Sequence, residues 1–132
     1  MDRLIKFRGQ GLEYVEWIFG GIAHDREAII NEDYLAIPVD RNTVGQFTGA
    51  YDREGNEIYE GDIIEAISPS GDKLRSQISF VDSVCCFALK PPLKTPTTDA
   101  MQLRPFRSEK FYKVIGNIYD NPELLEEEEI DD

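Results

Sequence analysis

The chain has 132 residues, of which 41% are hydrophobic and 11% aromatic, and it carries a formal net charge of −12. This length and composition suit one compact domain with a small appendage, and the negative charge argues against whole-protein affinity for nucleic acid or an anionic membrane. The sequence has no apolar run of about 20 residues that could span a bilayer, and its N-terminus lacks the apolar segment of a signal peptide, so we expect a cytoplasmic protein.

The first forty residues predict a small antiparallel sheet. Bulky residues recur at every second position, the period of half-buried strands, in two stretches: Ile5 and Phe7, then Val15, Trp17 and Phe19. Gly9–Gly11 predicts the turn between these two strands, and Gly20–Gly21 predicts the end of the second strand or a bulge in it. Two further short strands are predicted at Ala28–Ile30 and Tyr34–Val39.

The centre of the chain concentrates charge around glycines. Asp52–Asn56 predicts the solvated tip of a hairpin, in which Gly55 supplies the positive φ that a tight connection needs. Gly61–Asp62 predicts a second bend. The run "DIIEAI" at residues 62–67 then predicts a short strand that can be buried on both faces.

The second half continues with strands at Gln77–Val81 and Val84–Leu89. Residues 91–105 contain four of the seven prolines, which predicts a surface loop rather than a strand because proline cannot donate to a β-ladder. Another strand is predicted at Lys110–Ile115, ended by Gly116–Asn117.

The C-terminal residues predict a short helical turn and an acidic tail. Asn121 is a good N-cap, Pro122 is suited to the first helical position, and Glu123 complements the positive helix end. The run of carboxylates within Glu126–Asp132 should stop the helix, because the charges repel one another and the helix dipole disfavours them at that end.

Several stretches in chain order resemble one family. They are Phe7–Gly9 with Trp17 and Gly20, "TVGQFTG" at Thr43–Gly49, "DxxGxxIYEGDI" at Asp52–Ile63, and "VIGNIYDNPELL" at Val114–Leu125. Together they resemble the YopX family of phage and prophage proteins over nearly the full chain. The sequence departs from the family at residues 90–108, where the proline-rich stretch is longer than expected.

The resemblance implies a mainly β fold with an SH3-type β-barrel. It implies an N-terminal antiparallel β segment over residues 1–44 and the barrel over residues 45–120, with the proline-rich loop at 91–105. A helical turn and tail follow at residues 121–132. The resemblance also implies a phage or prophage origin, and it carries over no catalytic residues.

The residue types of a catalytic or metal centre are sparse. His24 is the only histidine and lies in a predicted loop between charged residues. Cys85 and Cys86 are adjacent, so they point to opposite faces of a strand and lack the spacing of a metal site. With no motif of nucleophilic or phosphate-binding chemistry, we predict a non-enzymatic protein without catalytic residues, metal or cofactor.

Charge is segregated along the chain. Residues 1–72 carry 6 basic and 15 acidic groups (net −9), residues 73–113 carry 8 and 3 (net +5), and residues 114–132 carry 0 and 8 (net −8). In the basic segment, Arg104, Arg107 and Lys110 alternate with aromatic residues that include Tyr112. Such a pattern can grip single-stranded nucleic acid, or it can be an edge strand whose aromatic rings face the core.

These observations predict a binding module rather than an enzyme, and they favour a protein partner, with Arg104, Arg107, Lys110 and Tyr112 as the candidate binding residues. One alternative is a nucleic-acid binder whose basic segment is screened by the tethered acidic tail. Another is an acidic mimic of nucleic acid. A tail that serves solubility alone is a further alternative, and exposed strand edges leave homo-oligomerisation open.

Overall fold

The structure is a computed structural model. It describes residues 4–14, 16–67, 71, 73–82, 85–90, 101–102 and 112–125. Within these ranges the chain is mainly β, with strands β1 (Phe7–Gln10), β2 (Trp17–Ala23), β3 (Ala28–Ile30), β4 (Ala36–Pro38), β5 (Gly45–Tyr51), β6 (Glu57–Tyr59), β7 (Asp62–Ile67), β8 (Lys73–Val81), β9 (Cys86–Lys90), β10 (Met101–Gln102) and β11 (Tyr112–Asn117). Short 3₁₀ helices lie at Arg41–Thr43 and Pro122–Leu125. No helix in the described part is long and apolar enough to cross a membrane.

The chain forms two compact units, Met1–Gly49 and Ala50–Asp132. The division between the two units falls within β5, whose last residues belong to the second unit. The domain boundary after residue 44 stays a prediction.

The first unit is a curled antiparallel sheet with the strand order β4-β3-β2-β1-β5. The edge of β1 that faces away from β2 lies beside two different segments. Phe7–Arg8 pairs with Gly45–Gln46 of β5. Beyond this pairing, Gly11 bridges Val39, and backbone hydrogen bonds join residues 10 and 12 to residues 40 and 38. The segment after β4 thereby returns to β1, so the sheet curls back on itself.

The predicted turn at Gly9–Gly11 is wrong, and the reason is packing. Gly9 lies inside β1, where an added Cβ would come within 3.1–3.2 Å of the side chains of Ile29, Val39 and Val44. These three side chains converge on the space that a glycine leaves. The connection between β1 and β2 follows at residues 11–16.

Of the two alternatives predicted at Gly20–Gly21, a strand end or a bulge, the strand end is wrong, since β2 runs on to Ala23. At Gly20, φ is +154° and an added Cβ would lie 1.8 Å from the carbonyl oxygen of Ile30. Glycine is therefore required here for the close approach of β3, and it does not end the strand.

The second unit contains the last residues of β5, strand β6 and a five-stranded sheet with the order β10-β9-β8-β7-β11. The predicted hairpin at Asp52–Asn56 is confirmed, with the Asp52 N–H donating to the Asn56 carbonyl at 2.8 Å. The "DIIEAI" strand is also confirmed as β7, and Ile63 and Ile64, which point to opposite faces, are both fully buried. The core cluster comprises Ala50, Ile58, Ile64, Ala66, Ile78, Leu89 and Tyr112.

Several strands of this unit depart from the predicted boundaries, and β8 already begins at Lys73. Met101–Gln102 pairs with Ala88 and Leu89 of β9, so a proline-free part of the predicted 91–105 loop is a strand. The remainder of that segment lies outside the described residues, as does the acidic tail at 126–132. β11 also runs through Gly116–Asn117, which we expected to end the strand: a register shift at Ile115 lets Gly116 pair with Ile63 of β7.

Asp52 ties the hairpin tip to β11. Its buried carboxylate accepts hydrogen bonds from the N–H groups of Glu54 (2.9 Å), Asn56 (2.8 Å) and Val114 (3.0 Å), and from the Asn56 side-chain amide (3.2 Å). Burial by itself raises the pKa of Asp52, but the hydrogen bonds from Val114, Asn56 and Glu54 together outweigh it. The pKa of Asp52 is therefore held below its ordinary value.

Ser76 on β8 is a polar residue in an apolar position. Its side chain is fully buried, and its Oγ makes no hydrogen bond within the described residues. A buried hydroxyl without a partner costs free energy, so Ser76→Ala should leave the free energy of unfolding unchanged or raise it by about 1 kcal/mol. Urea denaturation compares the two proteins, and a loss of more than about 1 kcal/mol in the variant would show that the hydroxyl is satisfied.

Candidate functional site

Exposed apolar side chains concentrate in the first unit. Among the described residues, ten large hydrophobic side chains are exposed, and eight of these belong to the first unit: Leu4, Ile5, Leu12, Tyr14, Phe19, Ile22, Tyr34 and Leu35. Single exposed apolar residues are ordinary on protein surfaces, so the informative ones are those that line a concave site.

Such a concave site runs along β2. It is a hollow of about 530 Å³, which we call the Trp17 groove. Its apolar lining comes from Trp17, Ile18, Phe19 and Ile30, and its polar lining from Lys6, Glu16, Asn31 and Glu32. Phe19 is 46% exposed and Trp17 is half-buried, so both rings remain accessible to a ligand.

The strand pairing explains how the two rings are presented. Trp17 and Phe19 are two residues apart on β2 and therefore share a face, and β1 places Arg8 opposite Phe19 on that face. The Arg8 guanidinium carbon lies 4.4 Å from the centroid of the Trp17 ring, with Arg8 only 8% exposed. This cation–π contact holds the indole in one orientation before any ligand arrives.

Two connections lie at the same end of the curled sheet, because alternate connections of an antiparallel meander share an end. The β1–β2 connection (residues 11–16) carries Glu16, and the β3–β4 connection (residues 31–35) carries Glu32. The Asn31 side-chain oxygen orders the second connection by accepting the N–H groups of residues 33 and 35, each at 3.0 Å. Both carboxylates therefore stand on defined turns at the rim of the Trp17 groove.

A second hollow of about 500 Å³ in the same unit is lined by residues that include His24, Val39 and Arg41. His24 is exposed in the β2–β3 turn, as predicted, with a positive φ of 52°. Arg41, also in the lining, is engaged by Asp25, whose Oδ2 lies 3.2 Å from the Arg41 Nη2. Within the described ranges, no group of three or more His, Cys, Asp or Glu side chains is arranged to hold a metal ion.

The binding residues predicted from sequence fall in the second unit. Arg104, Arg107 and Lys110 lie outside the described residues. Tyr112 is described: it pairs with Ala66 of β7, and its side chain is 8% exposed within the core cluster. A ring buried to this extent offers little surface for stacking on a base.

Sequence reasoning did not identify the Trp17 groove. The alternation of Trp17 and Phe19 was visible and correctly indicated a strand. A period of two, however, assigns residues to two faces without saying which face the rest of the chain will cover. No local sequence pattern therefore distinguished the exposed face of β2 from the covered one.

The residues that carry the family resemblance have structural roles. Gly61 has a φ of +93°, and an added Cβ there would meet the Tyr119 ring at 3.1 Å. The Asp62 carboxylate accepts the Tyr59 N–H at 2.7 Å across the bend. With Asp52, these residues fix the turns of the second unit, so this part of the motif has a structural role.

Comparisons with known proteins agree with this fold. The model of the YopX protein family matches residues 16–126. The crystal structure of protein EF1440 from Enterococcus faecalis is similar, with a TM-score of 0.58 and 23% sequence identity, covering 95% of this chain and 100% of that one. At this level of identity the similarity concerns the fold alone. No curated protein matches the chain.

Proposed function

The chain belongs to the YopX family, and we propose that it is a non-enzymatic accessory protein of phage or prophage type that binds a protein partner through the Trp17 groove. As part of this proposal, the protein acts in the cytoplasm of the bacterial host. The second unit is an SH3-type module by fold analogy, since its β7 strand follows the Gly61 bend as the first barrel strand does in many such domains.

The observation that carries the proposal is the pair of accessible rings, Trp17 and Phe19, on one face of a curled sheet. Aromatic side chains dominate protein interfaces because each buries about 150–250 Å² at a low entropy cost. Arg8 already restrains the Trp17 ring, so little conformational freedom remains to be lost when a partner binds.

The charges beside these rings favour a protein over a nucleic acid. Glu16 and Glu32 line the Trp17 groove, and the whole chain carries a net charge of −12. Carboxylates within a Debye length of about 8 Å repel phosphate at physiological salt. The aromatic pair is therefore better suited to apolar side chains than to stacking on bases.

A displayed peptide library panned against the full chain tests this proposal. Phe19→Ser should weaken binding of the enriched peptides by roughly 10- to 100-fold, because it removes an interface ring. Phe80→Ser is the matched control: Phe80 is 44% exposed, close to the 46% of Phe19, but lies in the second unit. The proposal fails if Phe19→Ser binds like the wild type, or if Phe80→Ser loses binding equally.

The same preparations test the nucleic-acid alternative. Removal of Glu126–Asp132 would unmask a basic segment screened by the tail, and a fluorescent single-stranded oligonucleotide would then bind at low salt but not at high salt. On the protein-binding proposal, we expect no oligonucleotide binding by either form. Binding by the truncated form that depended on Arg104, Arg107 and Lys110 would favour the alternative.

A further inference from the structure

The rim of the Trp17 groove carries two carboxylates that are not engaged by the described part of the protein. Glu16 and Glu32 are both exposed, and each stands on one of the two connections at the same end of the curled sheet. Neither side chain forms an ion pair or a hydrogen bond within the described residues. Both charges are thus available to a ligand that enters the groove.

One cation, Lys6, also lines the groove. The Lys6 Nζ lies 5.7 Å from the centroid of the Phe47 ring. The lining residues Glu16, Glu32 and Lys6 carry a net charge of −1. The Arg8 guanidinium adds a buried cation against the indole ring, whereas the two carboxylates are exposed at the rim. The first unit, residues 1–49, has 5 basic and 8 acidic groups and a net charge of −3. The exposed rim, the unit and the chain therefore attract a cationic segment.

We propose that the Trp17 groove takes an extended protein segment with an apolar side chain two positions from a lysine or arginine. This inference rests on the proposed function and names the chemistry of its partner. The apolar side chain packs against Trp17 and Phe19, and the cation reaches Glu16 or Glu32. Alternate residues of an extended segment lie on one side, about 6–7 Å apart, so both groups face the groove together.

The two kinds of contact have different consequences for binding. The apolar anchor supplies most of the affinity, because exposed ion pairs at a rim contribute little in high dielectric. The carboxylates select the partner and speed its approach, so their effect should appear in the association rate and in its dependence on salt.

The test uses the peptide that the wild-type chain enriches most, together with derivatives in which its cation is replaced by Gln or Glu. For the wild type, we expect the peptide with the cation to associate fastest, the Gln derivative more slowly and the Glu derivative most slowly. The overall difference in association rate should be roughly tenfold at 0.1 M salt and should shrink at 1 M. The double variant Glu16→Lys/Glu32→Lys should reverse this order and still require the apolar residue.

A control variant distinguishes an effect of the two rim carboxylates from an effect of the net charge of the chain. Glu27→Lys/Glu123→Lys changes the net charge by the same amount at two exposed residues outside the groove lining, and it should keep the wild-type order. Two results would overturn the inference: enriched peptides that lack the cation, or an equal change in the order of association rates in this control variant. The proposed function still stands in either case if peptide binding depends on Phe19. Enrichment of no peptide, or of peptides indifferent to Phe19→Ser, would overturn both.

Discussion

Replacing Asp52 by alanine is expected to lower the free energy of unfolding by about 3–5 kcal/mol. The Asp52 carboxylate is 1% exposed and satisfies four donors, which come from the hairpin tip and from Val114 on β11. Alanine leaves these part-buried donors without a charged acceptor. The Asp52 bond to Val114 links the hairpin tip to β11, and the Arg53 N–H provides another link by donating to the Tyr112 carbonyl at 2.9 Å. Loss of the Asp52 link should loosen this hairpin from β11.

Urea denaturation followed by far-UV circular dichroism measures this loss, and amide exchange at Val114 localises it. Asp40→Ala is the matched control. The exposed Asp40 carboxylate accepts the N–H of Asn42 at 3.0 Å at the start of a 3₁₀ helix, so the loss there should stay near 1 kcal/mol. An equal or smaller loss in Asp52→Ala would contradict the role assigned to the buried carboxylate.

The lowered pKa of Asp52 gives this contribution a defined pH dependence. The unfolded chain binds the proton at the ordinary pKa of 3.8, whereas the folded protein binds it only at lower pH. The stabilisation is therefore fully present above pH 3.8 and is lost as the pH falls through the lowered folded pKa. The stability difference between the wild type and Asp52→Asn should shrink when unfolding is measured below pH 3.8, and a constant difference would contradict this linkage.

Gly20→Ala is expected to destabilise the first unit by at least about 3 kcal/mol. The new Cβ would lie 1.8 Å from the Ile30 carbonyl oxygen, and the φ of +154° is one that alanine rarely adopts. Since the atom in its way belongs to the backbone, the clash can be relieved only by moving β3 away from β2. That movement would break the pairing of Gly21 with Ile30 and disturb the adjacent groove.

The neighbouring glycine provides the control. An added Cβ at Gly21 meets no atom within 4 Å, so Gly21→Ala should change stability by less than about 1 kcal/mol, and in the stabilising direction because glycine weakens strand interiors. Trp17 is the sole tryptophan and lies on β2, so its fluorescence in urea reports on the first unit. Similar urea midpoints for the two variants would show that the close approach of β2 and β3 at Gly20 is not required for stability.

Part of the candidate site could be anticipated from sequence and part could not. The strand that carries Trp17 and Phe19 follows from their alternation. Their exposure does not, because it depends on which residues the other strands place over that face. The basic segment with Arg104, Arg107 and Lys110 lies outside the described residues and stays a prediction. Its neighbour Tyr112 faces the core, on the strand β11 that pairs with β7.

What the sequence determined by itself is local: the mainly β composition, the Asp52–Asn56 hairpin, the doubly buried strand after Gly61, and the membership of a family whose motif consists of these turns. Each depends on residues near one another in the chain. Only the tertiary structure decided that Gly9 and Gly20 allow neighbouring segments to approach closely. It also decided that Gly11, next to β1, bridges Val39 as the sheet curls. Close approach and burial arise from pairings between distant segments, and a local pattern does not specify which segment will arrive.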